Sequence, residues 1–500
     1  MISFFGDPES KVFALETNDK LDNFSIEKLN WVLNAPFLKE QIIKNNFIGP
    51  KSTMISPWST NAVEIINNMG IESLIRIEEF ICIKDDDTFD IMIQEKYKSL
   101  GPDIFKNYKT PDKQILIHDI NEYNKNEGLA LDQNEVDYLN DLSKKLNRKL
   151  TDSEVYGFSQ VNSEHCRHKI FNGRFIIDNK EKEKSLFDLI KLTSKKNKNS
   201  IVSAYSDNVA FIKGPKISLF YPEKGVTSSY YTKKNIDSII SLKAETHNFP
   251  TTVEPYNGAA TGSGGEIRDR LAGGIGSIPL IGTAVYMTPY SRLNKENLWE
   301  DKFKGREWKY QTPSEILIKA SNGASDFGNC FGQPLICGSL LTFEHSEKDH
   351  RLGYDKVIML AGGVGFGEAK QSHKKIPQKG DIIVMLGGDN YRIGMGGASV
   401  SSTDTGNYDN SIELNAVQRS NPEMQKRVTN TIRALFESEE NPIISIHDHG
   451  AGGHLNCFSE LVESTGGEIY IDKLPLGDPS LSYKEIIGNE SQERIGFIIK

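Results

Sequence analysis

From residue 201 to the end, the chain repeats one pattern: a short apolar run, a glycine-rich stretch, and a segment long enough for a helix. The apolar runs at 357–360, 382–386, 443–446 and 495–499 have the length of buried strands. Residues 422–436 show the contrasting period, with Pro422 in the first turn and Met424, Val428, Ile432, Leu435 and Phe436 on one helical face. Strands and amphipathic helices in alternation bury their apolar faces only as layers, so the expected fold class is α/β, built as α+β layers. The glycine-rich stretches at 258–265, 362–367, 386–397 and 450–453 are expected to be turns. Those at 363–367 and 394–397 are expected to be close-packed ones, because neither completes a GxGxxG.

Two capping boxes separate this region from what precedes it. In Asp132-Gln133-Asn134-Glu135 and Thr151-Asp152-Ser153-Glu154, each end of the motif satisfies an orphan backbone amide of the other, so both open helices. The first helix carries Val136, Leu139, Leu142 and Leu146; the second carries Val155, Phe158 and Val161 and delivers residues 163–168 at its end. Further upstream, strand-like runs at 2–5 and 115–117 mix with helical stretches at 25–34 and 61–69. Five hundred residues exceed one ordinary core. The expected organisation is a small α/β domain over 1–125, a helical linker over 126–169, and two further subdomains over 170–365 and 366–500. Because residues 494–500 read as a strand with no cap or polar tail after it, the chain is expected to stop inside a domain.

A net charge of −9 opposes broad nucleic-acid binding, which wants a basic surface, so an anionic ligand must be held by local sites. No leader-like start and no membrane-length apolar run are present, and the expectation is a cytosolic protein without a membrane partner. The five cysteines are scattered with no CxxC pair, which argues for reduced thiols.

Chemistry concentrates in two clusters, Ser163-Glu164-His165-Cys166-Arg167-His168-Lys169 and Lys243-Ala244-Glu245-Thr246-His247-Asn248-Phe249-Pro250. On an extended segment Lys243, Glu245 and His247 share a face, which brings together a cation, a magnesium ligand and an acid/base group. Glycines 258, 262, 264 and 265 would let backbone amides approach an anion, with Glu266, Arg268, Asp269 and Arg270 adding a hard oxygen ligand and guanidinium groups; plain tight turns are the alternative. His447, Asp448, His449 and His454 admit either a zinc site or Asp448 alone as a Mg²⁺ ligand. Cys166 has no oxyanion signature after it and is not expected to act as a nucleophile. Asn489-Glu490-Ser491-Gln492-Glu493-Arg494 suits a polyhydroxylated or amide-bearing ligand, or is a polar loop.

With Val417-Gln418-Arg419, these motifs in this order resemble the phosphoribosylformylglycinamidine synthase family, the formylglycinamide ribonucleotide amidotransferases, in their large single-chain form. The resemblance covers essentially the whole chain. It implies the first half of an aminoimidazole-ribonucleotide-synthetase-like fold behind an N-terminal domain and linker. It also implies an ATP- and Mg²⁺-dependent ligase of purine biosynthesis, which converts formylglycinamide ribonucleotide to the amidine through an iminophosphate, with ammonia from glutamine. Carried over, His165 and His247 are catalytic, His247 the proton acceptor. ATP is assigned to His168, where smaller relatives carry a nucleotide-contacting tyrosine, to Lys243, and to the loop Gly258, Ala259, Ala260, Thr261, Gly262, Ser263, Gly264, Gly265, Glu266, Ile267, Arg268 and Asp269. Glu245, Asp269 and Asp448 are assigned to metal. The ribonucleotide falls to Thr246, Asn248, Arg268, Gln418, Glu490, Ser491 and Gln492. The family's second synthetase half and its glutaminase domain have no counterpart in these residues. The competing expectations are another ATP-using synthetase, a noncatalytic nucleotide-binding or assembly module, and a metal hydrolase built on His447, His449 and His454.

Overall fold

The computed structural model describes all residues except 85–87, 108, 225–226, 294–296, 439 and 492. The chain forms two compact units, one of Met1–Asp112 with Pro475–Ser482, the other of Lys113–Leu474 with Tyr483–Lys500.

In the first unit, Phe4 and Phe5 illustrate how the sequence makes the sheet: neighbours on a strand point to opposite faces, and here both faces are buried. Six antiparallel strands line up as Phe37–Leu38, Ile2–Asp7, Lys11–Thr17, Leu74–Cys82, Ile43–Pro50 and Gln94–Leu100. Phe5, Leu15 and Ile77 meet Leu29 and Ile66 from the helices Asn23–Leu33 and Pro57–Asn68. Phe4, Val12, Phe47 and Phe80 form the core of the other face. Residues 115–117, expected as a strand, contribute only an isolated bridge between Leu116 and Thr151, too short to build a ladder.

The second unit begins with the helices Ile120–Glu127, Gln133–Lys145 and Asp152–Val161. Both capping boxes form, and Val136, Leu139, Val155 and Tyr156 share one core. A six-stranded sheet follows, ordered Leu335–Thr342, Ile278–Thr288, Ile358–Glu368, Tyr231–Thr246, Ala210–Pro222 and Ile201–Ser203. A second sheet places Ile495–Ile499 between Ile382–Leu386 and Ile443–Asp448, both antiparallel to it. The helix Pro422–Phe436 covers one face of that sheet through Val428, Ile432 and Phe436, and Cys457, Phe458 and Leu461 cover the other. Among the described residues no helix is long and apolar enough to cross a membrane.

Two glycine-rich stretches expected as turns lie inside regular elements. Residues 362–367 belong to the strand Ile358–Glu368, where a Cβ on Gly363 would sit 2.5 Å from the Ile281 carbonyl oxygen and 2.6 Å from the Arg270 guanidinium carbon. Residues 258–269 belong to the helix Pro255–Leu271, whose residues 258–271 are all buried. The physical cause is the same in both: glycine permits close approach of a neighbouring element as well as unusual dihedrals, and sequence pattern does not separate the two uses.

Candidate functional site

The strand Tyr231–Thr246 ends on the second cluster, and the chain turns at His247 into the short helix Asn248–Val253 and then the glycine helix Pro255–Leu271. Glycine costs a helix interior about 1 kcal/mol relative to alanine, so four of them within eight positions require a reason. Each removes a collision. A Cβ on Gly258 would lie 2.3 Å from the Pro250 backbone, on Gly262 2.9 Å from His247 Cβ, on Gly264 2.7 Å from Phe327, and on Gly265 2.8 Å from Glu245 Oε1. The helix therefore lies directly against the side chains of the second cluster. Its interior amides are committed to the helix ladder, so the expected phosphate-cradling loop is replaced by a packing helix.

His247 profits from that contact. Its Nδ1 is 2.5 Å from the Gly258 carbonyl oxygen, and because a carbonyl only accepts, Nδ1 carries the hydrogen. Nε2 is left with its lone pair and has no hydrogen-bond partner among the described residues. Burial lowers the imidazole pKa to about 4, with the charges of His165 and Arg268 acting in the same direction. His165 follows the linker helices on the short helix Glu164–Arg167, its surface open to the cavity. Its desolvation, reinforced by His168, Lys243 and Lys356, likewise pushes its pKa down to about 4.

Lys243 extends 2.7 Å from Asp269 Oδ2 and 3.3 Å from Glu245 Oε2. Burial works against its charge, but Asp269 and Glu245 more than offset that and raise its pKa. Asn208 completes the arrangement: its Nδ2 donates to Asp269 Oδ1 and to Asp448 Oδ1, both at 2.9 Å. Its Oδ1 accepts from Lys374 at 3.0 Å, and Lys374 is anchored 2.6 Å from Asp207. Glu245 is pushed up to about 7 and Asp448 well above its usual range, first by burial and then by the repulsion of neighbouring carboxylates. Asp269, facing Lys243, stays below its ordinary value. Among the described residues no three His, Cys, Asp or Glu side chains already converge as a metal-ligating group. What the acidic trio offers is hard oxygen donors whose mutual repulsion favours a cation.

A cavity of about 1060 Å³ opens here, at the upper end of small-molecule sites. His165, His168, Lys243, Glu245, Thr246, His247, Asn248, Gln418 and Glu490 line it, with Phe187 and Tyr205 on its aromatic part. Residues 258–269 do not. Ala259, Ala260 and Ile267 belong to apolar cores, Thr261 bonds back to the Asn257 carbonyl, and the buried Ser263 hydroxyl has no partner. Glu266 is taken up by Arg270 and Gln333, and burial raises its pKa to about 8. Arg268 is fully buried on Glu493 and Gln425, 3.5 Å from Glu490, and does not itself line the cavity. Ser491 is buried between Asn489 and the backbone of Asp389 and Tyr391. Gln492 lies outside the described residues.

The His447–His454 motif divides. Asp448 joins the acidic trio, whereas His449 and His454 pair at 3.0 Å and His454 accepts from Arg494 at 2.8 Å in a buried network with Asn390 and Asn489. Asn208, Asp207, Lys374 and Lys356 had no signal in the sequence. The two carboxylates that Asn208 joins are 61 and 240 residues away along the chain.

The architecture and site define a layered α/β protein of the aminoimidazole-ribonucleotide-synthase-related class: residues 378–500 match the model described as AIR synthase related protein, C-terminal domain. Residues 10–98 match the formylglycinamide ribonucleotide amidotransferase N-terminal model, and residues 120–169 its linker domain. Over nearly its whole length the chain is similar to curated proteins named phosphoribosylformylglycinamidine synthase. It is 35% identical to "Phosphoribosylformylglycinamidine synthase" of Dictyostelium discoideum and 34% identical to "Probable phosphoribosylformylglycinamidine synthase, chloroplastic/mitochondrial" of Arabidopsis thaliana. Each match covers 98% of this chain and 38% of the relative, so the chain spans well under half the length of these proteins. A solved structure of Thermotoga maritima PurL complexed with FGAR is 26% identical, covering 73% of this chain and 48% of that one, at a TM-score of 0.49.

Proposed function

We propose that the second unit carries a synthetase site that converts the glycinamide oxygen of formylglycinamide ribonucleotide to an amidine nitrogen, using ATP and glutamine-derived ammonia, in cytoplasmic purine biosynthesis. The observation that carries this reading is His247, neutral, held through Nδ1 by Gly258, and facing the cavity beside Lys243 with Nε2 uncommitted. An amide oxygen is a poor leaving group, and phosphorylation turns it into phosphate. Ammonia attacking the resulting iminophosphate must then lose a proton, and a neutral imidazole with a free nitrogen accepts one.

His165 is the second imidazole of the site, and Lys243 meets the nucleotide's phosphates. His168, 6.2 Å from the Phe187 ring, contributes to the nucleotide side. The helix over residues 258–269 supports these groups from behind, setting His247 and Glu245 in place. Glu245, Asp269 and Asp448 would hold Mg²⁺, which when bound neutralises phosphate charge. Thr246, Asn248, Gln418 and Glu490 position the ribonucleotide, with Arg268 and Ser491 steadying the loop that bears Glu490. In this reading the second synthetase half and the glutaminase come from outside these 500 residues.

In the protein as encoded, ¹⁸O placed in the glycinamide carbonyl should appear in inorganic phosphate; label retained in product or lost to water rejects the iminophosphate route. His247→Ala should abolish synthetase turnover while nucleotide affinity stays within a few-fold of wild type. Turnover at the wild-type rate would remove His247 from the mechanism.

A further inference from the structure

Two lysines line the cavity, Lys243 and Lys356, and they differ in their partners. Lys243 faces Asp269 and Glu245. Lys356, which also lines the cavity, donates to the backbone carbonyls of Ser401 at 3.0 Å and Thr403 at 3.1 Å and has no ion-pair partner among the described residues. The ammonium also lies over the Phe249 ring, 5.9 Å from its centroid, and because an ammonium has three donors one N–H is left without an oxygen acceptor among the described residues. Burial lowers the Lys356 pKa, and the carboxylates of Asp404 and Glu413 counter that only in part. A half-buried ammonium with no carboxylate within ion-pair distance among the described residues suits an anion. His165, on the same cavity, feels the charge of both lysines.

A second, independent feature describes the rest of the ligand. Two cavity-lining amides have buried carbonyl oxygens without a donor among the described residues, Asn248 Oδ1 and Gln418 Oε1. An unclaimed cationic donor and two orphan acceptors together match a molecule with an anionic group and several hydroxyl or amide hydrogens. A phosphorylated sugar has that composition.

We infer that Lys356 binds the phosphomonoester of the ribonucleotide substrate while Asn248 and Gln418 accept from its hydroxyl or amide groups. The two substrates then present their phosphates to different lysines of one cavity, the nucleotide's to Lys243 and the ribonucleotide's to Lys356. The identity of the ligand rests on the ligase reading; the existence of the anion site does not.

The test titrates ribose 5-phosphate into the 500-residue chain, followed by ³¹P NMR, with neutral ribose as control and a nonhydrolysable ATP analogue plus Mg²⁺ as a separate arm. Ribose 5-phosphate should bind where ribose does not. Lys356→Met should weaken that binding by at least about tenfold, the scale of a lost charge-assisted hydrogen bond, while Lys356→Arg retains it within a few-fold and neither variant changes the affinity for the ATP analogue. Ribose 5-phosphate binding equally well to Lys356→Met and wild type, or absent from both, overturns the inference. So does a loss confined to the ATP analogue, which moves Lys356 to the nucleotide side. Failure of the analogue to bind wild type would count against the ligase reading alone, since Lys356-dependent sugar-phosphate binding would still stand. Retained binding in Lys356→Arg guards against a variant that merely misfolds.

Discussion

At the scale of single residues, the site depends on side chains made to hold one protonation state by a specific neighbour. His247 is a case of tautomer selection: the Gly258 carbonyl fixes the hydrogen on Nδ1. Nitrogen-15 NMR of the chain should therefore show a neutral His247 with Nδ1 protonated at pH 7, and an Nε2-protonated ring would contradict the geometry. Asn208 does comparable work for the carboxylates, since one amide donates to both Asp269 and Asp448. Replacing Asn208 with alanine leaves two buried carboxylates without their shared donor. We expect the affinity for Mg²⁺ in the presence of an ATP analogue to fall about tenfold, as is usual when a group that orients metal ligands is removed, with metal-free nucleotide affinity little changed. Calorimetric titration gives both values, and equal losses with and without Mg²⁺ would make Asn208 a general structural residue. His165, Lys243 and the three carboxylates were legible in the sequence because each lies in a dense polar motif. Asn208 and Lys356 were not, because what distinguishes them is the company they keep after folding.

At the scale of elements, the glycine helix Pro255–Leu271 and the capped helix Asp152–Val161 respond in opposite ways to their sequence. An alanine in place of a helical glycine ordinarily stabilises by up to about 1 kcal/mol. At Gly258 the added Cβ would meet the Pro250 backbone at 2.3 Å, and backbone cannot rotate away. Gly258→Ala should therefore destabilise the second unit, by about 1–3 kcal/mol as in other overpacked sites, measured by denaturant unfolding; an increase in stability would mean the helix has room to shift. The capped helix shows local electrostatics instead. Two hydrogen bonds from Arg148, with the Thr151 amide adding to them, pull the Glu154 carboxyl down to about 2 from 4.5. Because the folded value is the lower one, this contribution is complete above pH 4.5 and is lost as pH falls towards 2. Glu154→Gln should accordingly lower the melting temperature at pH 7, and the gap to wild type should narrow between pH 5 and pH 3. A gap that widens on acidification would reverse the sign of the coupling. Capping boxes form from residues three apart, which is why both were readable in advance, whereas the glycine stretches were misread as turns because their partners come from elsewhere in the chain.

At the scale of the whole molecule, the hydrophobic cores are separate. Phe5 belongs to a core made entirely of first-unit residues, and the cavity is lined entirely by the second unit. Phe5→Ala should cost the first unit about 3–5 kcal/mol, the range for a large buried aromatic, and lower its thermal transition while ATP-analogue affinity in the surviving fold is unchanged; a parallel loss of affinity would show that the cores are coupled. The sequence by itself determined the fold class, the strands at 382–386, 443–446 and 495–499, the linker helices and many of the polar residues that line the cavity, because these rest on periodicity, local capping and ordered motifs. Only the tertiary structure decided that residues 258–269 form a packing helix, that Arg268 and Glu266 face other protein groups, and that Lys356 lines the cavity with no ion-pair partner among the described residues. Those facts depend on which side chains from distant parts of the chain share a buried space, and burial and charge pairing are properties of the assembled neighbourhood.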